Sequence, residues 1–337
     1  MINSNTGKVK AMIMAAGVGS RLDPLTKDLP KPLIPIFNIP VMDILMKKLS
    51  DNNIFDVVAN TYYLSDKIFS HYKTNDFDIN IELIKEKNLS GTAGGFKKCQ
   101  FFFAPDDTIV VLSGDGISNV DIQNAIDTHC KLGAVATIGI KEVDKKDVSK
   151  FGVVVTDKEG FVTEFQEKPE IQDAKSSCIN TGIYIFNYRI FDYIPENTFF
   201  DFAKDVFPKL LAEHQLATFK INGYWSDIGT LEQYKQTVED IFNGTCKFEF
   251  GSESDFRILS DVKNLQNCTN STIGRDCKFK HNIQIKNSVL WDNVTVLEGV
   301  RIENSVIGSN SVVKRDVINE IIGSNEILEN DNVKLYT

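Results

Sequence analysis

Two glycines and two cations near the amino terminus have the types and spacing that a polyphosphate site requires. Gly17 and Gly19 follow a short apolar run, and Arg21 and Lys31 come soon after. Glycines after a buried strand let backbone N–H groups approach phosphate oxygens, and a helix start adds partial positive charge. The two cations can neutralise charge that develops on a phosphoryl group. Taken alone, such a short G-x-G pattern is better explained as a structural turn with solvated charges.

Two aspartates from distant parts of the chain are candidate metal ligands. Asp115 follows the apolar run Thr108–Leu112, and Asp227 lies between Trp225 and Gly229. Open α/β sheets place ligands beyond the carboxyl ends of their strands, and Mg²⁺ binds carboxylates while keeping waters and phosphate oxygens. Each aspartate alone is equally well explained as a turn or capping residue. Together with the glycine loop, they predict one shared magnesium ion.

The composition limits the classes of protein to consider. The chain has 337 residues, 42% hydrophobic and 25% charged, which fits a large α/β domain with a smaller appendage. Its net charge of −9 disfavours a nucleic-acid partner, which needs a basic surface. The six cysteines form no C-x-x-C pair and are expected to be buried reduced thiols. No apolar run approaches about 18 residues and no signal peptide is evident, so we expect a cytoplasmic protein without a membrane partner.

The hydrophobic pattern alternates between strand and helix up to about residue 145, which predicts a mostly parallel Rossmann-like α/β sheet. The expected strands are Lys10–Met14, Phe55–Ala59, Ile79–Ile84, Thr108–Leu112 and, after a strand-rich region at 150–190, Ala217–Ile221. The expected helices are Val41–Leu49, Gly94–Phe103 and Asp201–Leu211.

The tail changes to a six-residue period. Apolar residues recur with this spacing on two registers, with a one-residue slip: Ile273, Phe279, Ile285, then Leu290, Val296, Ile302, and in parallel Cys277, Ile283, Val289, then Val294, Val300, Val306, Val312. Short strands stacked as coils of a parallel β-helix have this period; an antiparallel sheet is the alternative. We therefore predict domains at 1–242 and 243–337, joined around residues 243–255.

The stretch from Ala16 to Thr26, followed by Lys31-Pro32, resembles the sugar nucleotidyltransferase (nucleotide-sugar pyrophosphorylase) signature G-x-G-[ST]-R-L-x-P-L-T…K-P. Further segments are similar to the family in the same order. They are the base-reading segment Glu86–Gly94, the metal-binding Gly114-Asp115, the sugar-phosphate segments Phe151–Val153, Glu167–Pro169 and Asn180–Gly182, and the second metal position in Trp225–Thr230. The tail resembles the left-handed β-helix of many members.

The resemblance implies transfer of a nucleotidyl group from a nucleoside triphosphate to a sugar 1-phosphate, with release of pyrophosphate. Arg21, Lys31 and Lys168 would be catalytic, and Asp115 and Asp227 would bind Mg²⁺. The nucleotide would contact Ala15, Ala16, Gly17, Gly19, Ser20, Arg21, Glu86, Gly91 and Thr92, and the sugar phosphate would contact Gly152, Glu167, Lys168, Asn180 and Thr181. Gly116 departs from the family, which more usually has an apolar residue there. The tail implies a homo-oligomer.

Glu86 is the residue from which we predict the nucleotide. It lies five residues before Gly91, and a carboxylate can accept the adjacent N1–H and N2 amino hydrogens of guanine. The E-x-x-x-x-G-T-A-G form also resembles the mannose-1-phosphate guanylyltransferases. We therefore expect GTP with mannose 1-phosphate or a manno-heptose 1-phosphate; the alternative is a glucose-1-phosphate thymidylyl- or uridylyltransferase.

Proteins of other classes fit the sequence less well. A catalytically silent nucleotide-sugar-binding regulatory subunit should lack Arg21, Asp115 or Asp227, and all three are present. An acyltransferase tail usually needs a histidine base, and His281 is the tail's one histidine. A nicotinamide dehydrogenase is disfavoured because the third glycine of G-x-G-x-x-G is absent.

Overall fold

The structure is a computed structural model that describes residues 7–74, 77–247, 258–260 and 267–329. The described residues form two compact units: unit 1 contains those up to Gly17 and those within Leu45–Asp227, and unit 2 contains Val18–Ile44 and those from Ile228 onward. This grouping differs from the predicted boundary at residues 242 and 243, because residues 18–44 pack with the tail. Most of the predicted joint at 243–255 lies outside the described residues.

The elements before the tail alternate between strands and helices up to the strand at Ala136–Glu142, after which three more strands follow before the next α-helix. The strands are β1 (Val9–Ala15), β2 (Pro35–Ile36), β3 (Ile39–Pro40), β4 (Asp56–Thr61), β5 (Asn80–Lys85), β6 (Thr108–Ser113), β7 (Gly116–Ser118), β8 (Ala136–Glu142), β9 (Gly152–Thr156), β10 (Val162–Glu167), β11 (Cys178–Asn187), β12 (Leu216–Lys220) and β13 (Trp225–Asp227). The helices are α1 (Val41–Asp51), α2 (Ser65–Thr74), α3 (Gly91–Lys98), α4 (Ile122–Leu132), α5 (Phe207–Ala212) and α6 (Leu231–Phe242).

Unit 1 is built on a nine-stranded sheet. Its main path is β10–β9–β11–β6–β1–β4–β5, with β8 beside β11 and β12 beside β8. Strand β1 pairs in parallel with β4 and β6, and the pairs β4–β5 and β8–β12 are also parallel. Strands β10 and β11 run against the others. The predicted mostly parallel Rossmann-like sheet is therefore confirmed, and β7 and β13 form a separate antiparallel pair.

An aromatic cluster fills the core on one side of this sheet. The Phe96 ring stacks on Phe191 at 4.5 Å between centroids and also contacts Phe186 and Phe202. The helix expected over 201–211 is a π-helical turn, Phe202–Val206, followed by α5. Pro208 lacks the N–H that a continuous α-helix needs at that position, which accounts for the irregular turn.

The tail of unit 2 is a left-handed parallel β-helix, as the family resemblance predicted. Its short strands are β14 (Asn267–Thr269), β15 (Thr272–Ile273), β16 (Lys278–Phe279), β17 (Gln284–Lys286), β18 (Val289–Leu290), β19 (Thr295–Val296), β20 (Arg301–Glu303), β21 (Val306–Ile307), β22 (Val312–Val313), β23 (Val317–Ile318), β24 (Ile321–Ile322) and β25 (Ile327–Leu328). They form three four-stranded parallel sheets. Ile285 pairs with Ile302, so this coil takes 17 residues, one fewer than three six-residue repeats, which explains the slip in the period. Ile302 pairs with Val317, so the next coil takes 15 residues.

The remaining expectations concern thiols and membranes. All six cysteines are free; Cys99, Cys246 and Cys277 are buried as expected, whereas Cys130 is exposed. Among the described residues, none of the helices has the length and apolar character needed to cross a membrane.

Candidate active site

The signature loop in unit 2 is organised around Gly19. Its φ of 72° is in the left-handed region that glycine adopts without strain, and a Cβ there would lie 3.0 Å from the Lys31 Cβ. The Gly19 carbonyl accepts hydrogen bonds from Leu22 N and Thr26 Oγ1, both at 2.9 Å. The resulting 3₁₀ turn, Ser20–Leu22, buries Leu22 and leaves Arg21 exposed. Lys31 therefore lies against the loop, and Arg21 is open to an anionic ligand.

Strand β1 of unit 1 ends at Ala15, just before this loop. Ala15 and Ala16 are buried, whereas Gly17 is exposed. Ala15 N donates to Asn60 Oδ1 at 3.3 Å. Gly114 N donates to Met14 O at 2.9 Å, so the carboxyl ends of β1 and β6 lie side by side.

The two candidate metal ligands come together in unit 1. Strand β7 begins directly after Asp115, and its first residue, Gly116, lies opposite Asp227 in the antiparallel β7–β13 pair. Ser113 Oγ donates to Asp115 Oδ1. A Cβ on Gly116 would meet only Ser113 O, at 3.6 Å, which is an ordinary van der Waals distance. There is therefore room for a side chain here, and close packing does not explain why this chain has glycine where the family more usually has an apolar residue.

The donor set fits a hard cation. The described residues contain no group of three or more His, Cys, Asp or Glu side chains that could hold a metal ion. A pair of carboxylates suits Mg²⁺, which usually binds one or two carboxylates and completes its shell with waters and substrate phosphate oxygens. Asp115 and Asp227 therefore fit an ion that a phosphorylated substrate shares.

The Asn180-Thr181 segment forms a bulge in β11, where the register with β8 shifts between Asn180 and Tyr184. Asn180 Oδ1 accepts from Gly182 N at 3.0 Å, and its Nδ2 donates to the Tyr184 hydroxyl at 3.2 Å. Thr181 is buried, and its carbonyl accepts from Trp225 Nε1 at 3.1 Å. This bond joins the bulge to β13, which carries Asp227.

Glu167 and Lys168 lie at the end of β10. Glu167 pairs with Gly152 across the β9–β10 ladder, and Lys168 N donates to Phe151 O at 3.2 Å. Lys168 has a φ of 45° and an exposed side chain, and unusual backbone conformations of this kind concentrate at functional sites. The Phe151 ring packs edge-on against Trp225 with centroids 5.4 Å apart. The predicted sugar-phosphate residues therefore approach the Asp227 strand through Trp225.

Glu86 is placed differently from its predicted role. Its side chain is 1% exposed. Oε1 accepts from Asn60 Nδ2 at 2.7 Å, and Oε2 accepts from Lys98 Nζ at 2.8 Å and from Ser90 Oγ. With both oxygens bonded inside the protein, the carboxylate is not presented to a guanine base. Sequence reasoning missed Asn60 and Lys98, because partners of a buried carboxylate leave no local pattern.

Gly91 and Thr92 begin α3; Thr92 is exposed, and its hydroxyl is bonded within the protein. Thr92 Oγ1 donates to Asp201 Oδ2 and accepts from Phe202 N, both at 2.9 Å. The next amides, Ala93 N and Gly94 N, both donate to Phe200 O at 3.0 Å. The helix start is therefore bonded to the 200–202 segment.

Comparison with known proteins agrees with these features. The nucleotidyl transferase family matches residues 10–244. The chain belongs to this family. It is 34% identical over 324 residues to a UTP--glucose-1-phosphate uridylyltransferase of Synechocystis sp., covering 89% of this chain and 82% of the relative. It is 30% identical over 341 residues to a glucose-1-phosphate adenylyltransferase of Clostridium perfringens, covering 91% and 85%.

A solved structure supports the same assignment. The Bacillus anthracis protein described as a candidate glucose-1-phosphate thymidylyltransferase, in complex with sucrose, superposes with a TM-score of 0.63 at 26% identity. The alignment covers 73% of this chain and 99% of that protein. The predicted resemblance to the sugar nucleotidyltransferases is confirmed, and so is the prediction that the chain is an enzyme of this type.

Proposed function

We propose that this nucleotidyltransferase forms a nucleoside diphosphate glucose and pyrophosphate from glucose 1-phosphate and UTP or dTTP. The observation that carries the reaction class is the family match over residues 10–244. It is supported by the pairing of Asp227 with Gly116, the residue that follows Asp115. The 34% identity to a UTP--glucose-1-phosphate uridylyltransferase over 89% of the chain supports the choice of substrates.

The substrate proposal replaces the expectation of GTP and mannose 1-phosphate. That expectation was based on a resemblance to the mannose-1-phosphate guanylyltransferases and on Glu86 accepting hydrogen bonds from guanine, whereas the carboxylate is buried among Asn60, Ser90 and Lys98. The relatives named above act on glucose 1-phosphate by their names. The uridylyltransferase and the candidate thymidylyltransferase among them favour the alternative of uridylyl or thymidylyl transfer.

The reaction requires positioning and charge neutralisation more than proton transfer. An oxygen of the sugar 1-phosphate attacks the α-phosphorus of the triphosphate, and pyrophosphate departs in line. The nucleophile is an anion at neutral pH, so no general base is needed. None of the chain's four histidines lies in the signature loop or in the other segments that resemble the family's motifs, and burial lowers the pKa of His129 to about 4.

Each candidate residue has a role in this scheme. Arg21 would neutralise charge that develops on the transferring phosphoryl group, and Lys31 would bind the triphosphate. Lys168 would bind the incoming sugar phosphate, with Glu167 and Asn180 accepting or donating hydrogen bonds to sugar hydroxyls. Asp115 and Asp227 would hold Mg²⁺, which when bound neutralises phosphate charge.

The first experiment measures pyrophosphate release by the full chain with Mg²⁺. It tests UTP, dTTP, GTP, ATP and CTP against glucose 1-phosphate, mannose 1-phosphate and a manno-heptose 1-phosphate. We expect release that requires both substrates and is fastest with glucose 1-phosphate and UTP or dTTP. Fastest release with GTP and a manno-configured sugar would overturn the substrate proposal. Nucleotide binding without release for any pair would overturn the reaction and favour a silent regulatory subunit.

A further inference from the structure

A row of asparagine side chains runs along one corner of the β-helix and ends on the signature loop. Asn293 Nδ2 donates to Asn310 Oδ1 at 2.9 Å, and Asn310 Nδ2 donates to Asn325 Oδ1 at 3.1 Å. Asn325 Nδ2 then donates to Asp28 Oδ2 at 3.0 Å, across 297 residues of sequence. All of these residues belong to unit 2. We refer to Asn293, Asn310 and Asn325 as the corner ladder.

A second contact in the same coil reaches the same part of the loop. Gly323 is buried, and a Cβ at this position would lie 3.1 Å from Pro24 Cβ and 3.2 Å from Pro24 O. Because these distances are shorter than ordinary van der Waals contact, the absence of a side chain at Gly323 allows the coil to approach Pro24 closely. The coil therefore contacts both ends of the segment 24–28.

This segment lies between the two cations of the signature loop. Leu25 and Thr26 are buried at 1% and 3% exposure, and Thr26 Oγ1 donates to the Gly19 carbonyl. Gly19 in turn lies against Lys31 and begins the turn that carries Arg21. A displacement of segment 24–28 would therefore move the backbone that orients both cations.

We propose that Gly323 and Asn325 are positioning residues for the triphosphate-binding loop, acting through Pro24 and Asp28 on Arg21 and Lys31. The inference rests on the proposed nucleotidyl transfer for its catalytic consequence. It gives the β-helix a part in the reaction: its last described coil keeps the loop in the geometry that neutralises charge during transfer. Small errors in positioning can cost large factors in rate when catalysis depends on orientation.

The chain offers a matched control on another corner of the same β-helix. Asn287 Nδ2 donates to Asn304 Oδ1, and Asn304 Nδ2 donates to Asn319 Oδ1, both at 3.1 Å. Asn319 N donates to Glu303 O, so this ladder bonds within the β-helix. Asn319 and Asn325 have φ values of 58° and 65°, which glycine also adopts freely. Asn319→Gly and Asn325→Gly therefore remove equivalent amides without backbone strain.

The experiment compares these two variants in the full chain by two measurements. One is the kcat and KM for pyrophosphate release, and the other is amide hydrogen exchange of peptides covering residues 19–31. We expect Asn325→Gly to lower kcat about 5- to 10-fold, which is less than the full loss of one hydrogen bond to a charged group because Asn325 acts on the cations only through Asp28. The KM for the sugar 1-phosphate should be unchanged, exchange in the loop should be faster, and Asn319→Gly should change neither measurement.

A pair of exchanged side chains adds a test of rescue. Asn325→Asp alone should lower kcat, because it places a second carboxylate beside Asp28. Adding Asp28→Asn should restore most of the lost activity, because the new amide can donate to the new carboxylate. Restoration would show that the hydrogen bond between residues 28 and 325 sustains the rate, and the unchanged KM for the sugar 1-phosphate distinguishes this role from a general loss of stability.

Three results would overturn the positioning role. They are equal effects of Asn319→Gly and Asn325→Gly, an unchanged kcat with unchanged loop exchange in Asn325→Gly, and no rescue by the double variant. If the parent chain releases no pyrophosphate with any substrate pair, the proposed function has failed. Hydrogen exchange then still decides whether the coil stabilises the loop.

Discussion

Asp227 lies directly opposite Gly116 across the antiparallel β7–β13 pair, which places it one residue from Asp115. The two aspartates are far apart in sequence, and three-residue strands bring them together. Trp225, in the same strand, donates to the Thr181 carbonyl, so the bulge of β11 also fixes this pair.

Asp227→Asn should lower kcat for pyrophosphate release by a factor on the order of 10² to 10³, because it removes a charged ligand that serves to stabilise the transferring group. It should also raise the Mg²⁺ concentration needed for half-maximal rate. Asp192→Asn, at an exposed position outside the site, is the control and should leave both quantities unchanged. A magnesium dependence that is the same in Asp227→Asn and in the parent chain would argue against the metal role.

Lys168→Gln should raise the KM for the sugar 1-phosphate roughly 10- to 100-fold, because one charge-assisted hydrogen bond to phosphate is lost. The KM for the nucleoside triphosphate should change little. Lys158, which is exposed in the turn between β9 and β10, provides the control variant Lys158→Gln. An increase confined to the KM for the triphosphate would assign Lys168 to the nucleotide instead.

Glu86→Gln should destabilise the protein by about 2 kcal/mol, because Lys98 loses its buried carboxylate partner and one oxygen acceptor becomes a donor. The order of preference among nucleoside triphosphates should not change, since the side chain is 1% exposed. Urea unfolding and the substrate panel provide the two measurements. A switch in nucleotide preference without loss of stability would restore the predicted base-reading role.

His129 should make the protein less stable as the pH falls below about 6.5. Its ring is buried and 2.8 Å from Thr137 Oγ1, and burial lowers its pKa from 6.5 to about 4. Between these values the unfolded chain binds a proton that the folded chain does not. The stabilisation is therefore complete above the unfolded pKa and is lost as the pH falls towards the folded one.

The measurement for His129 compares unfolding free energies at about pH 7.5 and about pH 5. The parent chain should lose about 2 kcal/mol more than His129→Gln over this interval. Equal losses in the two proteins would show that His129 does not contribute to the pH dependence.

The strands that define the architecture could be predicted from local patterns. The apolar runs at Lys10–Met14 and Thr108–Leu112 fall within β1 and β6, because parallel strands buried on both faces read as continuous hydrophobic segments. The β-helix of the tail could also be predicted, since each coil repeats the same inward-facing apolar positions. The helix expected over Gly94–Phe103 begins earlier, at Gly91, and gives way to a 3₁₀ turn at Gln100–Phe102. The homo-oligomer inferred from the tail stays a prediction.

The sequence by itself determined the reaction class, because the residues of the signature loop are contiguous and their resemblance to the sugar nucleotidyltransferases can be recognised without the fold. Only the tertiary structure decided which groups are available to a substrate. It buried Glu86 beside Lys98, whose pairing depends on α3 packing near the end of β5. It also joined Asp28 to Asn325, 297 residues away. Contacts of this kind arise from the packing of whole elements, and no local spacing encodes them.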